Sequence, residues 1–157
     1  IRDAADYIID TTSLSPSQLR GRIVTIFEGE TTPMLISCQS FGFRNGLPQD
    51  ADLVFDVRCL PNPYYVPELK EHDGTEGPVR DYVMNAPESH EMLQKLEELL
   101  AFSIPLYQRE GKSQLVVAVG CTGGRHRSVA IACQLAAYLR SLGYRVELSH
   151  RDKDNRR

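Results

Sequence analysis

Five apolar residues in a row, Leu115-Val116-Val117-Ala118-Val119, interrupt a chain whose other apolar positions mostly recur at helical or strand spacing. A Val-rich run of this kind predicts a strand buried on both faces. Residues Val129 to Leu142, apolar, alanine-rich and free of Gly, Pro, Asp and Glu, predict a helix packed on a sheet, with Gly143 just past its end. Between them lies Gly120-Cys121-Thr122-Gly123-Gly124-Arg125-His126-Arg127-Ser128. The unit is strand, glycine loop, helix.

The rest of the chain can be read in the same terms. Ala5 to Asp10 predicts a short strand. Ser15-Pro16-Ser17-Gln18 opens a helix: Ser15 is placed as N-cap, Pro16 suits the first turn, Gln18 completes a capping box, and Leu14 and Leu19 form a hydrophobic staple. That helix runs toward Phe27, and Gly29-Glu30-Thr31-Thr32-Pro33 reads as a linker. Strands are expected over Met34 to Phe41, Leu53 to Val57 and Tyr144 to Ser149. Tyr64 to Pro87, rich in proline, reads as a long functional loop or lid. Glu88 to Ser103 predicts an amphipathic helix whose stripe of Met92, Leu93, Leu96, Leu99 and Leu100 is core, ended by Pro105. His150 to Arg157 reads as a charged tail. Strands alternating with helices predict the α/β class, a mostly parallel, Rossmann-like sheet flanked by helices. Three strands run into polar loops, Ser40–Pro48, Asp56–Pro63 and Gly120–Ser128. In such sheets ligands bind outside the carboxyl ends of the strands, so these loops are expected to converge.

The chemistry concentrates in the glycine loop. Glycines let backbone N–H groups turn inward, and the following helix adds its positive end, which together make an anion site. Gly123, Gly124 and the Ser128 hydroxyl would cradle a phosphate, Arg127 would pair with it, Arg125 and His126 would assist, and Cys121 and Thr122 complete the loop. Asn45 and Arg58 would reach the rest of the ligand from the neighbouring loops. The same stretch fits C-x-x-G-x-x-R-S, the loop of cysteine-dependent phosphatases. In that alternative Cys121 would attack phosphorus as a thiolate and Asp56 would protonate the leaving group. Gly120 stands where such enzymes usually place a histidine.

Charge sharpens this picture. Residues 1–110 hold nine basic and eighteen acidic side chains, net −9; residues 111–157 hold nine basic and three acidic, net +6. The second half is therefore the expected partner of anions. Gly111-Lys112-Ser113 resembles the end of a nucleotide P-loop but lacks its first glycine and precedes a strand, so it is rejected. The four histidines show no metal-ligand spacing. The cysteines at 38, 59, 121 and 133 form no C-x-x-C pair and read as reduced thiols. With no apolar run of membrane-spanning length and no signal-peptide pattern, a cytoplasmic location is expected. The chain begins at Ile1 without an initiator Met, which reads as a fragment.

Taken in order, Ser40-Phe41-Gly42-Phe43-Arg44-Asn45-Gly46-Leu47-Pro48, Asp50-Ala51-Asp52, Phe55-Asp56-Val57-Arg58, Leu60-Pro61-Asn62-Pro63-Tyr64 and the Gly120–Ser128 loop resemble the C-terminal domain of the RapZ/YvcJ family, RNase adapters and P-loop nucleotide-binding proteins. The resemblance runs from about residue 33 to the end, and His150-Arg151-Asp152 is similar to the family's terminal basic segment. It implies that residues 1–32 are a remnant of a preceding P-loop domain plus linker, and that residues 33–157 form a phosphometabolite-binding domain with a phosphofructokinase-like fold. The Walker motif is absent here, so ATP or GTP belongs to the missing domain, and no cofactor is expected in this stretch. The resemblance further implies sensing of an amino-sugar phosphate such as glucosamine 6-phosphate, assembly into homo-oligomers, and binding of a small regulatory RNA presented to an RNase. Arg151, Lys153, Arg156 and Arg157 are the RNA-binding candidates.

Overall fold

A computed structural model describes residues 9–28 and 34–155. Among them, four strands form one all-parallel sheet in the order β2-β3-β1-β4, with β1 Leu35–Gly42, β2 Leu53–Asp56, β3 Gln114–Cys121 and β4 Arg145–His150. The helices are α1 Pro16–Glu28, α2 Gly77–Met84, α3 Pro87–Arg109 and α4 Arg127–Ser141. Parallel register puts Ile36 beside Leu115 and Val146, and Cys38 beside Val117 and Leu148, on the face covered by helices. Ile131, Leu135 and Leu139 of α4 and Leu96, Leu100 and Ile104 of α3 close the core over them. β3 is buried from Leu115 to Cys121, as its apolar run requires. The opposite face carries Ser37, Gln39, Val54, Arg145 and Glu147 and is partly open.

The α1 start is the capping box expected: Gln18 N–H donates to Ser15 Oγ at 3.3 Å, and Ser15 N–H to Gln18 Oε1 at 2.9 Å. Three expectations change. Tyr64 to Pro87 is not a continuous loop. It holds a 3-10 turn at Pro63–Tyr65 and the helix α2, which starts at Gly77-Pro78 and buries Val79 and Val83 one turn apart. Pro105 does not end α3, which continues to Arg109. Proline forfeits one helical hydrogen bond, but Leu100 and Ile104 are fully buried and Tyr107 packs on the core, so packing overrides the local cost. The charged tail is not all solvated, since residues 151–154 form a turn in which Asp152 is 4% exposed. The expected strand at Ala5 to Asp10 lies largely outside the described residues, and Ile9 and Asp10 are not in a strand; the linker at 29–33 lies outside them too.

Candidate functional site

The strand order decides where a cleft opens. β1 and β3 are neighbours, yet β1 connects to one edge of the sheet and β3 to the other. Their loops diverge from adjacent carboxyl ends, which is where open α/β sheets bind ligands. There the structure has a cleft of about 980 Å³. One wall is the glycine loop, contributing Cys121, Thr122, Gly123, Arg125, His126 and Arg127. Arg44 and Asn45 enter from the β1 loop, Asn155 from the C-terminal turn, and Asn62, Tyr64, Tyr65, Lys70 and Glu71 from the segment after β2.

The glycine wall is set by close backbone packing. A Cβ on Gly42 would meet the Gly123 carbonyl carbon at 2.5 Å, and one on Gly124 would meet Gly42 N at 2.6 Å. Gly124 also has φ +80°, which side chains resist. Nothing lies within 4 Å of a Cβ built on Gly123. Cys121 is 3% exposed; its Sγ accepts the Gly124 N–H at 3.3 Å and lies 3.1 Å from Ser128 Oγ. α4 then begins at Arg127 with no side-chain cap.

The cationic side chains mostly hold the walls together. Arg127, 5% exposed, donates to the carbonyls of Arg58 and Leu60 and, at 3.3 Å, to Thr122 Oγ1, while its buried Nε has no partner. Arg125 donates to the carbonyls of Glu71 and His72, and His126 Nε2 donates to the Lys70 carbonyl at 3.1 Å. Burial pushes the His126 pKa down, and the charges of Arg125 and Arg127 push the same way. The segment from Lys70 to Gly74 is thus strapped onto the glycine loop, with Gly74 N–H donating back to the Arg125 carbonyl at 2.9 Å.

Of the residues expected in the site, Asn45, Cys121, Thr122, Gly123, Arg125, His126 and Arg127 line the cleft. Gly124 and Ser128 lie behind them, and Arg58 is outside the lining. Arg58 grips Asp56 at 2.7 Å and stacks over Phe43, its guanidinium carbon 4.1 Å from the ring centre. The Arg58 hydrogen bonds hold the Asp56 carboxyl below its ordinary pKa. Arg151 is spent locally on Asp152, at 2.8 Å, and on the Gly46 carbonyl, at 2.7 Å; Lys153 pairs with Asp73 at 3.7 Å. Arg156 and Arg157 lie outside the described residues. Arg44, Asn62, Tyr64, Tyr65, Lys70, Glu71 and Asn155 line the cleft without having been singled out from the sequence. A Tyr pair framed by Pro61, Pro63 and Pro67 just past a strand end was the available signal. Among the described residues no cluster of His, Cys, Asp and Glu could hold a metal, the four cysteines are free, and no helix is long and apolar enough to cross a membrane.

Comparison with known proteins matches this architecture to one family. Residues 34–154 match the model of the RapZ C-terminal domain. A nucleotide-binding protein of Alkaliphilus oremlandii is 53% identical over 156 residues, covering 98% of this chain and 54% of that protein. Relatives with the same description occur in Geobacter sulfurreducens, 50% identical over 98% of this chain and 55% of that protein, and in Staphylococcus epidermidis, 53% identical over 97% of this chain and 51% of that protein. The chain spans about half the length of the curated relatives it matches. It belongs to the RapZ C-terminal domain family.

Proposed function

We propose that the domain is a regulatory sensor that holds a phosphorylated metabolite over the Cys121–Ser128 loop, an amino-sugar phosphate such as glucosamine 6-phosphate being the first candidate. The observation that carries this reading is the uncapped start of α4 opening, through the glycine loop, onto a cleft lined by Arg44, Lys70, Arg125 and Arg127 against the single carboxylate of Glu71. A helix start without a cap leaves N–H donors for an anion, and an anion at that point also meets the positive end of the helix. The orphaned Arg127 Nε supports a site incomplete without ligand. The nucleotide binding named for the relatives then belongs to the half of them that this chain does not cover. Calorimetry with glucosamine 6-phosphate and with glucosamine tests the reading: binding is expected only with the phosphate, and absence of binding by either would overturn it.

Two observations support other readings. The Cys121 Sγ, which accepts the Gly124 N–H and lies 3.1 Å from Ser128 Oγ, is arranged as a phosphatase nucleophile would be. Yet the sulfur is buried, and Asp56 is held ionised by Arg58, which leaves it unsuited to give a proton. Phosphate release from an aryl phosphate, abolished by Cys121→Ser, would decide for the enzyme. RNA docking by the half of net charge +6, through Lys153, Arg156 and Arg157, is the further proposal for the whole protein. Its affinity is expected to fall steeply with salt, because each phosphate neutralised releases counterions.

A further inference from the structure

The base of the charged C-terminal segment is folded into the cleft. Asp152 Oδ2 accepts the Gly42 N–H at 2.8 Å and both Nε and an Nη of Arg151, at 3.0 and 2.8 Å. Its Oδ1 accepts the Asn155 side-chain amide at 3.1 Å. A Cβ on Gly124 would stand 2.8 Å from the Asp152 Cβ, so the carboxylate also backs the glycine loop. Arg151 continues the tie, donating to the Gly46 carbonyl, and its backbone N–H donates to the Ser40 carbonyl at 3.0 Å. One buried carboxylate therefore joins the end of β1, the β1 loop, the glycine loop and the turn at 151–154. Asn155, which it holds directly, lines the cleft, and so does Asn45, on the loop that the Gly42 and Gly46 bonds tie down.

We propose that Asp152 is a positioning residue of the ligand cleft: it fixes Asn45 and Asn155 against the part of the ligand beyond the phosphate, and Arg151 serves this lock. The proposal rests on the cleft being the ligand site. A buried carboxylate with this many donors is not a solvated tail charge, because burying it unpaired would be prohibitive. Its partners, a backbone N–H, a side-chain amide and a guanidinium that also grips the Gly46 carbonyl, sit on separate segments, which makes it a template for loop geometry. Burial alone would raise its pKa, but the hydrogen bonds from Arg151 and Gly42 outweigh that and keep it below the ordinary value, hence ionised at neutral pH.

The test separates positioning from plain stability. Asp152→Asn keeps an acceptor for Gly42 and Arg151 but turns a donor toward the Asn155 amide. Calorimetry should show glucosamine 6-phosphate binding about tenfold weaker, one lost charge-assisted hydrogen bond's worth, while inorganic phosphate binding changes less than about twofold, since the glycine loop itself is kept. Equal affinity for the sugar phosphate in parent and variant would overturn the proposal. So would an equal loss for both probes that follows a drop in melting temperature. If the variant does not fold, Asn155→Ala on the exposed rim must show the same selective loss, and its absence counts against the lock. If the parent binds neither probe, the ligand reading is what fails. The lock is then judged by NMR: the Asn45 and Asn155 side-chain amide resonances should shift together in Asp152→Asn, and unmoved resonances would refute it.

Discussion

The two walls of the cleft are built by opposite means. The glycine wall is backbone against backbone: Gly42 and Gly124 pack so closely on each other and on the Gly123 carbonyl that neither could carry a side chain, with Cys121 almost fully buried beside them and Ser128 behind. The facing wall is tied down from Asn62 to Asp73 by side-chain hydrogen bonds from Arg125 and His126 to its carbonyls, and meets the glycine loop backbone to backbone only at its Gly74 end. Its aromatic rim is open, with Tyr65 80% exposed on a turn whose first helical residue is Pro63. Packed backbone has few alternative arrangements, whereas a strap held by side-chain bonds can adjust. A preformed phosphate cradle thus faces a wall able to adapt to what the phosphate carries.

The sharpest way to break this contrast is to put a methyl group into each side of the glycine wall. Gly124→Ala meets Gly42 N at 2.6 Å at φ +80°, so both sterics and backbone oppose it. Its stability should fall by about 3 kcal/mol or more in denaturant titrations. Gly123→Ala meets nothing within 4 Å and should stay within about 1 kcal/mol of the parent. Its added methyl instead faces the cleft and should lower phosphate affinity. Equal stability losses in the two variants would show that the wall is not packed as described.

Next in size is Arg127→Ala. Arg127 alone crosses from the glycine wall to the Arg58 and Leu60 carbonyls, and it is buried. Leaving those acceptors unmet should cost about 2–4 kcal/mol, and Arg127→Lys should recover little because one ammonium cannot replace the fork. Full rescue by lysine would show that charge alone matters there. Arg125→Ala should act on the other wall only. The strap loses two carbonyl contacts, about 1 kcal/mol or less of global stability, but hydrogen exchange around Glu71 to Gly74 should speed up while β3 stays protected. Uniform exchange across both regions would remove the distinction between the walls.

The contrast also explains what could be read from the sequence. The glycine wall is local in sequence: nine consecutive residues between a Val-rich run and an alanine-rich helix announce their own geometry. The Ser15–Gln18 capping box is legible for the same reason, since its partners are three residues apart. The sequence instead predicts a long loop or lid over Tyr64 to Pro87, which takes in most of the facing wall and α2. Prolines that look like breakers sit in the first turn of α2, at Pro78, and open the 3-10 turn at Pro63, where a missing N–H costs nothing. Val79 and Val83, one helical turn apart, were the signal for α2. Asp152 could not be found this way. A carboxylate between Arg151 and Lys153 has the composition of a solvated tail, and its main partner, Gly42 N–H, lies 110 positions away. The anchoring roles of Arg125 and His126 were hidden for the same reason, because their partners are backbone carbonyls that no motif encodes.

The smallest expected effect is the response to pH, which reads the two walls separately. Burial first, then the Arg125 and Arg127 charges, depress the His126 pKa in the folded protein; burial and Lys153 do the same for His150. An unfolded histidine takes its proton near pH 6.5. As pH falls below that value, the unfolded chain binds protons that the folded one still refuses, so stability falls until the folded pKa is passed. Asp52, Asp56 and Asp152 are shifted in the same direction, with the same consequence in a lower window. Asp152, with its Arg151 and Gly42 hydrogen bonds outweighing burial, has a depressed pKa, so its contribution is present above the unfolded value of about 3.9 and is lost as pH drops below it. Melting temperature should therefore decline slightly between about pH 7 and 5, and more steeply below about pH 4. His126→Gln retains a side-chain donor for the Lys70 carbonyl and has nothing to titrate. It should flatten part of the upper decline, the share His150 leaves to it, and leave the lower one unchanged. An upper decline as steep in His126→Gln as in the parent would show that His126 is not the group being protonated.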